Sequence, residues 1–427
     1  MATENGVTRQ TDKTFLYAAI LIAVGVMATT LAQIQLLGLI PLKNLLKNEL
    51  HADRATTAAF FFWAQMAWYF KPVCGIVTDA FPLFGSRRKS YLLISSSLTV
   101  VMWFALSVTP HRYATLLVVA IAINVFAVLA STVVGGYMVE VAQRISGSGR
   151  LSAIRNFVQQ TCYIVSGSLA GFLGSIAFGW TGVACGGIMF LLLPATLLFL
   201  KEEKRHTESQ VLLSNARAQL GVIVKARTMW AAAGLMALFY LAPGLATATF
   251  YRQQNELHMG TEAQGLLQTL AGIGGVSAAC LYILACRRWN LKTLLLWCVS
   301  IAGLTSLGYL FYTTPLRADV VETVYGFGFV MAEMALMDLA VRATPPGSEG
   351  LGFSLMMSVR NLALFGSDWF GSKMLDRFHW TFSGLVLGNA ATTFIVVPLV
   401  FLLPLLIVGR KDAEPATEAA APRIAAE

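Results

Sequence analysis

The chain has 427 residues, of which 56% are hydrophobic and only 12% charged, with a mean hydropathy of +0.66. A soluble domain carries about twice that charged fraction, so the composition argues for a membrane protein. The net charge of +9 is therefore read as membrane topology and not as a nucleic-acid surface.

Residues 1–14 form a polar N-terminal tail. The first apolar run, 15–40, is too long for the core of a signal peptide and reads as an uncleaved span. Further candidate spans cover 58–80, 91–109, 113–136, 156–178, 181–200, 229–250, 264–286, 291–313, 320–341, 352–373 and 383–408. Each is near the ~20 residues that a bilayer requires. The longest internal hydrophilic stretch, 201–228, reads as a cytoplasmic linker. It divides the chain into a six-helix half over 15–200 and another over 229–408. Residues 409–427, rich in Ala, Pro and Glu, read as a disordered tail. With both termini inside, most Lys and Arg fall on cytoplasmic loops.

The stretch 71–91, KPVCGIVTDAFPLFGSRRKSY, leaves one span and enters the next. Gly75 and Asp79 lie one helical turn apart at the end of the first span. Gly75 lets a neighbouring helix approach. Asp79, an acid at a helix C-terminus, is opposed by the helix dipole and needs a cation. Arg87, Arg88 and Lys89, beyond Gly85, are the nearest supply. An internal repeat supports two halves: Glu140 and Arg144 end span four, Asp338 and Arg342 end span ten, and each pair is spaced to meet on one helix face. The next spans then open with Arg155-Asn156 and Arg360-Asn361.

The Gly75…Asp79…Gly85…Arg87-Arg88 pattern resembles the loop between helices 2 and 3 of the major facilitator superfamily. Its extended form, with Lys71-Pro72, Pro82 and Tyr91, is similar to the folate–biopterin transporter branch. So is the string from Thr344-Pro345-Pro346-Gly347 through Phe353 and Ser358 to Asn361. Span four departs from that branch, with Ser131, Thr132, Gly135 and Gly136 where an acid is typical. The resemblance implies an all-α membrane protein with twelve transmembrane helices in two pseudo-symmetric halves, working by alternating access. The expected location is a bacterial inner (plasma) membrane, with both termini cytoplasmic by the positive-inside rule.

Chemistry must then come from polar groups inside the spans, where a charge costs ~2.5–3.5 kcal/mol and faces a cavity or a partner. Lys71 lies roughly 20 Å along its span, beside a helix-kinking Pro72. Lys71 and Arg360 are candidate cations for an anionic substrate, with ion pairing between helices as the alternative. Gln33, Gln65 and Asn361 are candidate readers of a heterocycle edge, or helix-to-helix hydrogen bonds. Glu333 and Asp368 are candidate proton carriers or partners of the two cations. Gly75, Asp79, Gly85, Arg87, Arg88, Glu140, Arg144, Asp338 and Arg342 are candidate gating residues. The aromatic run Phe60–Trp63 reads as an interfacial belt.

The six cysteines and five histidines show no metal-ligand or disulfide spacing. No nucleophile elbow, phosphate loop or zinc-protease motif occurs. The expectation is a secondary transporter, not an enzyme, with no metal or cofactor. Its partners are a small organic anion, folate- or pterin-like, with protons and the lipid bilayer, and no nucleic acid. The alternatives are a carrier or exporter of a different metabolite, or a non-carrier membrane protein.

Overall fold

The structure is a computed structural model that describes residues 2–81, 83–86, 88–144, 148–200, 209–346 and 348–409. Arg87, Pro82, Gly347 and the tail from 410 on lie outside the described residues, as do the side chains of Asp79 and Arg144.

In the N-terminal half the helices are α1 (Ala2–Leu31), α2 (Leu39–Asn48), α3 (Arg54–Ala64), α4 (Met66–Tyr69), α5 (Lys71–Ala80), α6 (Lys89–Val108), α7 (Tyr113–Arg144), α8 (Ser148–Ser175), α9 (Gly179–Phe190) and α10 (Leu192–Phe199). Helix α11 (Ser209–Lys225) lies in the hydrophilic stretch and bends by 75° into α12 (Arg227–Tyr240). The C-terminal half continues with α13 (Ala246–Asn255), α14 (Thr261–Cys286), α15 (Leu291–Ser306), α16 (Pro315–Ala343), α17 (Glu349–Asp376), α18 (Phe382–Leu399) and α19 (Leu405–Val408). Each half buries its own apolar core, one drawn from residues between Ala18 and Leu200 and the other mainly from residues between Ile223 and Val408.

Among the described residues, seven helical stretches are each long and apolar enough to cross a membrane. The remaining passes are interrupted or polar, and these carry many of the residues that line the central cavity.

Among the runs expected to be continuous, three that line the central cavity are broken. The run 15–40 unwinds between Leu31 and Leu39, where the Gln33 amide turns back to the Thr29 carbonyl (2.5 Å) and Gly38 N–H closes onto the Gln33 carbonyl (3.2 Å). The run 58–80 is in three pieces. Its last break precedes Lys71-Pro72, because proline at the second position of α5 has no N–H to continue the ladder behind it. The run 229–250 breaks at Pro243-Gly244, in the place corresponding to the first break. There Gly244 N–H bonds to the Ser367 carbonyl (3.0 Å), and a Cβ on Gly244 would stand 2.4 Å from Asp368 Cα. The polar tail 1–14 is also helical, from Ala2.

The aromatic run Phe60–Trp63 is not a belt. Phe60 and Phe61 are buried and Phe62 packs on Trp369 of the other half (5.0 Å between ring centroids), leaving Trp63 exposed. The cause is rotational position: α3 packs on both α7 and α17, so most of its circumference faces protein.

Candidate functional site

The ends of the bundle differ. One, here the basic end, carries Arg88, Lys89, Arg155, Lys225, Arg227, Arg287, Arg288 and Arg342. At the opposite end the two halves are fastened together. Asp376, at the end of α17, accepts Arg54 Nη1 (2.9 Å) and the backbone N–H of Ala55 (2.8 Å) at the start of α3. Lys47 Nζ donates to Gln254 Oε1 (2.7 Å), and the Tyr251 hydroxyl contacts Thr57 Oγ1 (2.9 Å) and donates to the Ala52 carbonyl. Helices α8 and α14 meet on glycines: a Cβ on Gly265 would lie 2.5 Å from the Gly167 carbonyl oxygen and 2.7 Å from Gly171 Cα. Only residues without side chains allow backbones so close.

Below this seal lies a cavity of about 1650 Å³ between the halves. It reaches the basic end, where the exposed residues Arg155, Asn156 and Gly350 are among its lining. The halves therefore close at one end and part at the other.

Lys71, Arg360, Gln33, Gln65, Asn361, Glu333 and Asp368 all line this cavity. They sit in different electrostatic situations. Arg360 is ion-paired to Glu333 on α16, each side chain 19% exposed. It also donates from Nε to the Tyr240 hydroxyl (3.3 Å) and from Nη1 to Asn361 Oδ1 (2.9 Å), and stacks over the Tyr240 ring (5.0 Å). Its partner is thus within its own half, and the pair is held by the aromatic end of α12. Asp368 accepts both the N–H (2.9 Å) and the hydroxyl (2.6 Å) of Thr247, capping α13 after its break. Lys71 lies over the Trp68 ring (5.1 Å), and among the described residues it has no carboxylate within ion-pair distance.

The glutamines form a chain across the break between α1 and α2. Gln65 Nε2 donates to Gln35 Oε1, and Gln35 Nε2 donates to Gln33 Oε1 (2.8 Å). Trp68 is fixed from behind by Asn124 Oδ1, which accepts its indole N–H (2.9 Å). The wall thus offers amide edges on the N-terminal half and aromatic faces (Trp68, Phe239, Tyr240, Phe329) on both sides, beside a lysine with no counter-ion among the described residues.

Of the gating candidates, Glu140 accepts Arg88 Nη2 (2.9 Å) and Nε (3.3 Å), joining α7 to the start of α6. Its expected partner Arg144 has a side chain outside the described set. Arg88 also passes close to Gly136, where a Cβ would stand 2.6 Å from its guanidinium. Arg342 does grip Asp338 through two bonds (2.7 and 2.9 Å), and Tyr282 adds a third contact (3.3 Å). Gly75 lies on the cavity wall, with Thr132 on α7 opposite it. Gly85 has φ +74°, a left-handed turn that favours glycine.

Sequence reasoning missed Lys43. It is 5% exposed, lines the cavity from α2, donates to the Ala246 carbonyl (3.3 Å) of the other half and lies between the Phe61 and Phe250 rings (5.8 and 5.4 Å). It also lies within electrostatic range of Asp368. The signal was its place in Leu42-Lys43-Asn44-Leu45, where helical apolar spacing continues past the end of the first run.

The sequence profile of the BT1 family matches residues 34–420. A folate-biopterin transporter of Synechocystis is 26% identical over 387 residues, covering 85% of this chain and 76% of that protein. Folate transporter 1 of Plasmodium falciparum is 20% identical, covering 84% and 75%. Among solved structures, a D-xylose-proton symporter superposes with a TM-score of 0.69 at 14% identity, over 92% of this chain and 98% of that one. The inward open conformation of a xylose transporter from E. coli gives 0.68 at 12%, over 95% and 98%. These neighbours have the two-halved, all-helical fold of the major facilitator type, and the chain shares it.

Proposed function

This chain belongs to the BT1 family, and from that premise we propose that it is a secondary transporter that carries a folate- or pterin-like planar anion across the membrane by alternating access. It is a multi-pass membrane protein. We place it in a bacterial inner membrane with the basic end and both termini cytoplasmic, in the sense of the positive-inside rule. The state seen here is then the inward-facing one.

The observation that carries the reading is the pairing, in one cavity, of a lysine uncompensated among the described residues with amide edges and aromatic faces. A cation without a partner inside a membrane is costly, and an anionic solute would supply the missing charge. Lys71 is assigned to a carboxylate of the solute, and the Gln33–Gln35–Gln65 chain with Asn361 to the edge of its ring. In this scheme the solute's second anionic group draws Arg360 away from Glu333. The released Glu333 then takes up a proton, with Asp368 as a second candidate carrier, so entry of substrate and proton would be linked. Arg88–Glu140, Asp338–Arg342, Gly75, Asp79, Gly85, Arg87 and Arg144 serve the closure of the basic end.

The relatives named as folate-biopterin and folate transporters support this substrate class. A ligand-induced thermal-shift screen of the purified protein tests it. Folates and pterins should raise the melting temperature in a saturable way. A screen in which sugars or nucleosides stabilise the protein and pterins do not would transfer the proposal to another organic solute.

A further inference from the structure

Outside the cavity lining, α16 carries another acid within the bundle. Glu322 is half-buried about one turn beyond Tyr325. Its Oε2 accepts the Tyr309 hydroxyl (3.1 Å), and its Oε1 accepts the Tyr312 hydroxyl (3.0 Å) and the Gln253 amide (3.5 Å). Gln253 also donates to the Tyr312 hydroxyl (2.8 Å). These partners are themselves buried, at 3% for Tyr309, 0% for Tyr312 and 7% for Gln253.

Among the described residues Glu322 has no ion-pair partner. Charged groups on the surrounding elements are engaged elsewhere or are also acidic. Arg252 on α13 is paired with Glu256 (3.0 Å) and stacked on Phe382, Arg317 donates to Thr313 (2.8 Å), and Lys373 on α17 lies over Trp369. Asp319 precedes Glu322 by three residues on the same helix, Glu262 opens α14, and Asp368 lies on α17.

An acid held inside a membrane bundle by hydroxyl and amide donors, without a cation, differs from Glu333, which Arg360 neutralises. Its surroundings can serve both protonation states. The ionised carboxylate accepts from both tyrosines, as seen here. The protonated form donates its own O–H, and a tyrosine hydroxyl can rotate to accept it. The cluster also connects to the cavity. Tyr309 packs edge-on against Tyr325 (5.0 Å), which lines the cavity and lies within electrostatic range of both Glu322 and Asp368.

We propose that Glu322 is a proton-binding site of the transport cycle, set between the sealed end and the cavity, and that it exchanges protons with the opposite face when the seal opens. The proposal rests on the transporter reading. It adds to Glu333 and Asp368 a site that, unlike Glu333, binds a proton without competing with an ion pair.

The test uses the full chain in proteoliposomes with labelled folic acid as the probe. Counterflow at equal pH on both sides reports the carrier cycle, and accumulation driven by an inward proton gradient reports coupling. Glu322→Gln should keep counterflow and lose the gradient-driven excess. Accumulation like the wild type, loss of both activities, or wild-type uptake indifferent to the gradient would each overturn the proton site. Should Glu322→Gln fail to fold, Tyr312→Phe decides. Loss of one donor to the ionised form should move the pH midpoint of uptake up by about one unit, and an unmoved midpoint overturns the proposal. No wild-type counterflow would refute the folate-carrier reading itself, and this inference with it.

Discussion

Asp376→Asn probes the seal at the opposite end. The carboxylate receives two charge-assisted bonds across the halves, from Arg54 (2.9 Å) and from the Ala55 N–H (2.8 Å). It also places a negative charge at the N-terminus of α3, where the helix dipole favours one. Asparagine keeps one acceptor and loses the charge. A bond to a charged group contributes about 1.5–3 kcal/mol and a neutral one about 0.5–1.5, so the bond that keeps its acceptor loses on the order of 1 kcal/mol and the other, whose oxygen becomes an amide nitrogen, is lost outright. Arg54 is 34% exposed, and solvent screens its share. The net loss after that screening is about 2–3 kcal/mol, or at least a tenfold shift toward the state open at that end. Spin labels on cysteines replacing Asn48 and Asn255, in a background without the native cysteines, would report the separation of the halves. The variant should gain a longer-distance population at least several-fold over the parent. Identical distance distributions would show that this ion pair does not set the balance between states.

Three other substitutions follow from the cavity and the interface. Arg360→Ala leaves Glu333 without its cation, so it should lower stability by about 3 kcal/mol. Adding Glu333→Ala should restore much of that in a thermal melt, and the single change should weaken uptake of a carboxylated substrate far more than of a neutral analogue. Lys71→Gln has no ion pair to break, so the melting temperature should hold while affinity for the anionic solute in a binding titration falls about tenfold or more. Gly171→Leu should force α8 from α14, since a Cβ there would lie 2.7 Å from the Thr261 carbonyl oxygen and 2.9 Å from Gly265 Cα. The expected result is greater labelling of opposite-end cysteines, and unchanged labelling would count against the glycine seal.

Much of the fold could be read from run lengths, because a bilayer demands long apolar segments and the short loops between them leave few topologies. The breaks were less visible. Lys71-Pro72 announced one, but Gln33–Gly38 and Pro243-Gly244 lie inside apolar runs whose hydropathy does not register a turn. The intramembrane residues Lys71, Arg360, Glu333 and Asp368 stood out because charge is rare there, whereas their partners did not. Arg360 with Glu333, and Glu140 with Arg88, are pairings between helices that depend on helix rotation, to which sequence spacing is blind. The spacing of Asp338 and Arg342 did mark a pair, since four residues on one helix settle the geometry. Glu322 stands third in the run 320–341 and Lys43 just past the run 15–40, so both were lost at the edges of runs: the structure carries helix beyond those edges and keeps both residues inside the bundle.

The central claim is that one cavity, open alternately to the two faces, carries a planar anion. Counterflow in proteoliposomes tests it most directly. Vesicles preloaded with unlabelled folate or pterin should accumulate the labelled compound transiently, with a rate that saturates with concentration. Flux that rises linearly and shows no dependence on preloading would contradict a carrier.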